Sequence, residues 1–407
     1  MRIGEFAKKN QVSIDTIRHY MDLDLLLPDK VNGQYSFDIQ CQESIDEVFL
    51  LKEMGFKLSE IKTIFMFNSL GNMTIYQKDE YYKMLFENKY QCVVEEIKKL
   101  ELTKVKIRSK LKELDECNNK KKFTIGVSLD TLSKLKCLRC KSSLMIKKGD
   151  IIDNQILNGL LSCKCGEEYL IQDGIVMISK DKIEDKSHYN HNFITKYISS
   201  TDGNYLENIY KGIDWLKRST AFQELDNKTV LELGSGVGFL LRNIYHLLPD
   251  DCLYIAIDHD INKHRLLKNI LERSDNKKNI LFICSDFKEI PIQEKTIDLL
   301  IDYSGTSNYS FAHTEFLLED INKYVKDQAD LIGSYILFKN FASNSLIEDS
   351  HRKNFLLNNV KNKLSGLGYK CLQENISDYI EKGGLFENYF VDGEVVYTYQ
   401  YHGKRLG

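Results

Sequence analysis

Thr229-Val230-Leu231-Glu232-Leu233-Gly234-Ser235-Gly236-Val237-Gly238 reads as a buried strand running into a glycine-rich turn, and Phe239-Leu240-Leu241 behind it begins a helix. Glycines at 234, 236 and 238 leave no Cβ between the backbone and a ligand. A helix containing Trp215 precedes this stretch, and three further apolar runs follow it. Residues 253–257 end at Asp258, 24 positions after Gly234, where a strand-end carboxylate can accept from both hydroxyls of a ribose. Residues 280–284 end at Ser285-Asp286, in position to meet an adenine amino group, and residues 297–301 end at Asp302.

Polar residues at four successive strand ends build a nucleoside site at the C-terminal edge of a parallel sheet. A dinucleotide-binding oxidoreductase is the alternative. Its fingerprint requires a third glycine where Phe239 stands, to let helix and pyrophosphate meet. S-adenosylmethionine has no pyrophosphate, and the spacing favours it. Across about 200 residues the region resembles the class I S-adenosylmethionine-dependent methyltransferases. The resemblance implies an α/β Rossmann-like domain over 185–407 with a mostly parallel seven-stranded sheet. It also implies Glu232, Gly234, Ser235, Gly236 and Gly238 around the methionine moiety, Asp258 at the ribose, and Asp286 with Phe287 at the adenine. Residues 368–371 and 394–399 look like the closing antiparallel strands, whereas the usual Pro-Gly-Gly before the fifth strand is replaced by Asp327-Gln328-Ala329-Asp330. Asp302, Tyr303, Tyr309 and His313 follow the fourth strand, where the acceptor sits in such enzymes; they are the catalytic candidates, with packing as the competing reading. An Asn-Pro-Pro-Tyr type motif is absent, so the methyl acceptor is not readable.

Upstream, Cys137-Leu-Arg-Cys140 and Cys163-Lys-Cys165-Gly166 are separated by 22 residues of strand-like text. Two short-spaced pairs on adjacent hairpins can bring four thiolates to about 2.3 Å from one structural Zn²⁺; coincidental free cysteines are the alternative. The text from Cys163 through Ile178 resembles the small zinc-ribbon protein that activates RNA and protein methyltransferases, and the ribbon that precedes the catalytic domain of rRNA guanine methyltransferases. A zinc ribbon is therefore expected over 123–182.

At the N-terminus, Ile3, Phe6 and Ala7 mark a first short helix, and Ser13 can cap a second one with Ile14 and Ile17 on its inner face. This helix pair is a helix-turn-helix candidate that would place Thr16, Arg18, His19 and Tyr20 towards DNA. The wider text includes Val12, Ser13, Thr16, Arg18, Tyr20, the Leu-Leu-x-Pro ending at Pro28, Asn32-Gly33 and Gly55-Phe56. It resembles the winged helix-turn-helix of the MerR family over residues 1–75, which implies DNA contacts from Ser13, Thr16, Arg18, His19, Tyr20 and, on the wing, Tyr35. Two departures weaken the expected affinity for promoter DNA. Gln34-Tyr35 replaces the family's Tyr-Arg, and residues 1–80 hold nine Lys/Arg against thirteen Asp/Glu.

Phe86, Tyr90, Val93, Ile97, Leu100, Lys104, Ile107, Leu111 and Leu114 recur in steps of four and three, a heptad seam within a coiled-coil helix over 80–118. A homodimer through this helix is expected, as the resemblance also implies; the alternative is a seam covered by the chain's own later domains. With no apolar run of membrane-spanning length and no signal peptide, the expected location is cytoplasmic.

The sequence therefore describes a multidomain chain: a DNA-binding regulator of the MerR type fused to an S-adenosylmethionine-dependent methyltransferase that modifies, and also senses, a small molecule. Two alternatives stay open. One is a regulator that uses the methyltransferase fold as a sensor without turnover; the other is an rRNA methyltransferase with a vestigial head.

Overall fold

The computed structural model describes residues 1–31, 33–70, 75–116, 121–178 and 192–406. The chain divides into two compact units, Met1–Asn118 and Asn119–Gly407.

In the first unit, α1 (Ile3–Lys9) and α2 (Ile14–Asp22) meet at a turn where Gln11 takes φ +55°, the left-handed conformation that glycine adopts without steric cost. Ser13 caps α2, its Oγ accepting the Thr16 amide at 3.0 Å. The wing is an antiparallel hairpin of β1 (Asp29–Val31) and β2 (Gln34–Ser36) in which Lys30 faces Tyr35; Asn32 lies outside the described residues. Helices α3 (Ile39–Glu53), α4 (Leu58–Leu70) and α5 (Ile75–Glu116) complete the unit. Its core gathers Ile17, Ile45, Val48 and Ile61 around the stacked rings of Phe6 and Phe37, whose centroids lie 4.5 Å apart. Phe86 of α5 meets Phe56 edge-on at 5.3 Å. Further along α5, Ile97, Leu100, Ile107, Leu111 and Leu114 are each more than half exposed, so the heptad seam is uncovered in the single chain.

The second unit begins with the cysteine-bearing strands β3 (Val127–Ser128), β4 (Met145–Ile152), β5 (Gln155–Ser162), β6 (Glu168–Gln172) and β7 (Ile175–Met177). Helices α6 (Asn192–Ser200) and α7 (Gly203–Ser219) lead into β8 (Thr229–Leu233). The helix expected at Phe239 is a single turn, α8 (Leu241–Ile244). It is followed by β9 (Leu253–Asp258), α9 (Ile261–Leu271), β10 (Asn279–Cys284), β11 (Ile297–Tyr303), α10 (Gly305–Ser310) and α11 (Leu318–Ile321). The closing elements are β12 (Val325–Asn340), α12 (Leu357–Gly366), β13 (Tyr369–Ile376) and β14 (Val395–Arg405). Residues 327–330 are not a loop. They belong to β12, where Gln328 at φ +67° forms a bulge against β11.

The sheet order is β13-β14-β12-β11-β8-β9-β10-β7-β6-β5-β3, with β4 paired to β5. Strands β10, β9, β8, β11 and β12 are parallel, and β14 and β13 close antiparallel, which gives the seven strands expected from the sequence. The ribbon read over 123–182 is not separate from the domain read over 185–407. β7 pairs in parallel with β10, Val176 opposite Ile283, so the ribbon continues the sheet and covers an edge that would otherwise expose unpaired amides and carbonyls.

A buried ion pair fastens this junction. Glu272, fully buried after α9, accepts the Lys268 ammonium at 2.5 Å and the Ile125 amide at 3.0 Å, while Lys121 approaches its other oxygen at 2.6 Å. Glu272→Ala leaves the Lys268 ammonium buried and uncompensated, and should destabilise the second unit by roughly 3–5 kcal/mol. Trp215, the one tryptophan of the chain, reports that unit selectively. A urea midpoint unchanged by Trp215 fluorescence would refute the role given to the pair.

Candidate functional site

Strand β8 runs between β9 and β11, and all five of its residues are buried, Glu232 included. Its C-terminal end opens into the glycine-rich turn, where Gly234, Gly236 and Gly238 have φ of +68°, +53° and +80°. The turn is tied to the next strand: the Ser235 amide donates to Ile257 O at 3.0 Å, and the Gly236 amide donates to the Asp258 carboxylate at 2.9 Å. The other Asp258 oxygen accepts the Asp260 amide at 2.9 Å. Gly238 serves packing instead of ligand contact. It does not line the cavity, and a Cβ there would sit 2.3 Å from Leu267 Cδ1.

A cavity of about 680 Å³ opens at these strand ends. Glu232, Gly234, Ser235, Gly236, Asp258, Asp286 and Phe287 all line it, as do Tyr303, Tyr309 and His313 from the end of β11 onwards. Several of its polar atoms are buried without a protein partner: one Glu232 oxygen, Ser235 Oγ and the Tyr309 hydroxyl. Buried polar groups are normally satisfied, so these atoms at one cavity are ones that a polar ligand could satisfy. Burial pushes the Glu232 carboxyl up to about 7; the neighbouring Tyr254 hydroxyl pulls it down, and the Asp258 charge adds to the rise.

Asp302 departs from the expectation. It is fully buried outside the cavity lining, with Oδ1 accepting the Thr306 amide at 2.8 Å. It braces the β11–α10 turn, where a Cβ on Gly305 would lie 2.7 Å from Leu233 O and 2.9 Å from Asp302 Oδ1. His313 stacks on Tyr309, ring centroids 3.8 Å apart and planes at 5°, and its Nδ1 lies 2.9 Å from Tyr309 O. The opposite wall of the cavity, with Tyr197, Tyr205, Glu387 and Tyr389, had no motif to announce it; 23 tyrosines in the composition were the one trace.

The four expected thiols converge. Cys137, Cys140, Cys163 and Cys165 have all their sulfurs within 4.8 Å of one another, with Cys137–Cys165 at 3.5 Å and Cys140–Cys163 at 3.3 Å. Tetrahedral bonds of about 2.3 Å put sulfurs about 3.8 Å apart, so the cluster can hold a zinc ion with no coordination position left open. The Tyr169 hydroxyl donates to Cys137 Sγ at 3.4 Å and accepts the Leu138 amide at 2.9 Å. The knuckle is joined to the segment after β10 by Lys136 N to Pro291 O at 2.8 Å and Gln293 N to Lys134 O at 2.9 Å.

In the head, Thr16, Arg18 and His19 reach the surface of α2, Arg18 paired with Asp15 at 3.1 Å. Tyr20 does not join them. Its ring is buried in the helix-turn-helix core, and its hydroxyl accepts from Lys52 at 3.3 Å, so it is a core residue and not a groove contact. Tyr35 is exposed on the wing with Lys30 5.1 Å above its ring. The facing strand thereby supplies the wing with a cation that its own Gln34-Tyr35 text lacks.

Residues 1–66 match the family described as MerR HTH family regulatory protein. No curated protein matches the sequence. Among solved structures, a SAM-dependent methyltransferase from Aquifex aeolicus is 17% identical, with 50% of this chain and 94% of that one covered at a TM-score of 0.35. Phosphoethanolamine N-methyltransferase 2 of Haemonchus contortus is 11% identical, covering 59% and 62% at 0.40. A SAM-dependent methyltransferase from Methanosarcina mazei is 11% identical, covering 46% and 95% at 0.33. The fold itself is defined by strand order: a doubly wound sheet with a closing antiparallel pair. The chain thus joins a head that matches the MerR HTH model over residues 1–66 to a doubly wound α/β sheet, similar in fold to these methyltransferases, that carries a four-cysteine ribbon. Among the described residues no helix is long and apolar enough to cross a membrane.

Metal analysis of the purified full chain should find one zinc per chain. Cys163→Ser should lose it and lower the melting transition seen by Trp215. Full metal retention in that variant would remove Cys163 from the ligand set.

Proposed function

We propose that the protein is a transcription regulator whose second unit binds S-adenosylmethionine and methylates a small molecule that it also senses. The observation that carries this reading is the set of buried, unpartnered polar atoms at the strand ends, Glu232 and Ser235 above all, around a cavity of nucleoside-site design. Glu232 would meet the cationic methionine moiety, the Gly234–Gly238 turn would let backbone amides approach it, and Asp258 and Asp286 would hold the ribose and adenine. When bound, the cofactor supplies a methyl group already activated by a sulfonium, so the protein's task is to position the acceptor and exclude water. The aromatic wall opposite the strand ends does both.

The same proposal gives the head its role. The exposed seam of α5 is covered by a second copy, and the two heads contact promoter DNA through Ser13, Thr16, Arg18, His19 and the Lys30–Tyr35 wing. DNA affinity is modest because few phosphates are neutralised. A second reading, a sensor that binds the cofactor without turnover, is favoured by the withdrawal of Asp302 from the cavity, which removes one of the four residues after the fourth strand that could have served as a base.

Incubation with methyl-labelled S-adenosylmethionine and fractionated cell extract tests these readings. Label in the small-molecule fraction is expected. Label in RNA would overturn the small-molecule assignment, and cofactor binding without any transfer would establish the sensor.

Cofactor binding should also depend on pH. With its carboxyl raised to about 7, Glu232 holds its proton in the folded protein where the unfolded chain would have lost it, so this group's contribution to stability falls as pH rises towards 7. A cationic ligand stabilises the carboxylate. Affinity for S-adenosylmethionine should therefore rise with pH, by up to about tenfold per unit, and level off above about 7. In Glu232→Gln, isothermal titration should find weaker binding and no such slope; a slope that persists would assign it to another group.

A further inference from the structure

The cavity's far wall is a polar and aromatic box assembled from three distant segments. Tyr197 of α6 donates its hydroxyl to one Glu387 oxygen at 2.5 Å, and Tyr205 of α7 donates to the other at 3.0 Å. Tyr389 completes the relay, its hydroxyl 2.8 Å from that of Tyr205. The rings of Phe239 and Phe386 lie 5.0 and 5.9 Å from that of Tyr197, and all three line the cavity. Glu387 thus faces the cavity with two phenolic donors and, among the described residues, no cationic partner. Burial raises its carboxyl above the ordinary range, against the pull of the two tyrosines. Tyr303, whose hydroxyl is pushed up by burial and then by the charges of Glu387 and Glu232, lines the same cavity.

We propose that this end of the cavity is a binding site for an organic amine in its ammonium form. Its role as methyl acceptor or sensed effector rests on the function proposed above. Charge selects the ligand class. Among the described residues the cavity is lined by four carboxylates, Glu232, Asp258, Asp286 and Glu387, against one lysine, Lys263, and two histidines, His259 and His313. An anionic ligand would be repelled by Glu387, and a neutral apolar one would bury that carboxylate further without compensation. An ammonium group pairs with it in a charge-assisted hydrogen bond, and the surrounding rings offer their negative faces to the same cation. The Phe386 ring already has Lys196, which does not line the cavity, 5.7 Å from its centroid.

The test is a ligand-observed NMR screen of the full chain, with and without S-adenosylhomocysteine, against matched fragments: organic amines, their uncharged carbon or hydroxyl isosteres, and carboxylic acids. Quaternary ammonium members are included because they neither titrate nor accept a methyl group. Amines and quaternary ions should dominate the hits, and Glu387→Gln should weaken them by about tenfold or more while S-adenosylhomocysteine binds as in the parent. Tyr205→Phe, which keeps the ring and removes one donor to Glu387, provides the same readout if the Gln variant fails to fold. Hits without charge preference, hits unaffected by both variants, or no ammonium hits would each overturn the site. Ammonium binding in a protein that binds no S-adenosylhomocysteine would leave the site standing and overturn the cofactor reading instead.

Discussion

The 2.9 Å hydrogen bond from the Gly236 amide to the Asp258 carboxylate holds the ends of two neighbouring strands together at the place where a ligand must enter. β8 sits in the middle of a parallel sheet, so its C-terminal end cannot turn back by a hairpin and must leave through a tight, left-handed turn. Asp258 and Ile257 O hold the amides of that turn. The cavity, the exposed face of Asp286 and the buried acid at Glu232 all take their positions from this junction. Asp258 is therefore both scaffold and candidate ligand contact: its two oxygens accept the Gly236 and Asp260 amides, and the residue also lines the cavity.

Continuity of the sheet gives the ribbon a mechanical connection to the same region. β7 extends the sheet past β10, and the knuckle at 134–137 is hydrogen-bonded to the segment at 291–293, a few residues beyond Asp286. A metal held by the four thiols would stiffen that segment without approaching the cofactor end. Ligand chemistry within the cavity then separates by wall. Strand ends supply carboxylates and glycine backbone on one side, and α6, α7 and the stretch between β13 and β14 supply tyrosines and Glu387 on the other.

The head follows the same economy of means. Gln11 stands at φ +55° where the turn favours glycine, a strain of order 1 kcal/mol that the Ser13 cap and the Phe6–Phe37 stack offset. On the wing, Lys30 of the facing strand lies over the Tyr35 ring, a proximity visible only once the register Lys30 opposite Tyr35 is known.

Much of this protein is local information. Alternation, glycine spacing and strand-end acids made β8 to β11, the glycine-rich turn and the strand-end residues that line the cavity legible, because each depends on residues close together in the chain. The cysteine pairs were legible for the same reason. Tyr20 and Asp302 were misplaced because side-chain direction depends on what packs behind a helix or a turn, and a motif does not state that. The ribbon's union with the sheet depends on β7 meeting β10 about a hundred residues later, and the Tyr197–Tyr205–Glu387–Tyr389 box joins positions almost two hundred residues apart. By itself, then, the sequence determined the fold of each part and the strand-end wall of the cavity. The tertiary structure alone decided which distant side chains form the opposite wall, since contacts between segments so far apart leave no periodicity or spacing in the text.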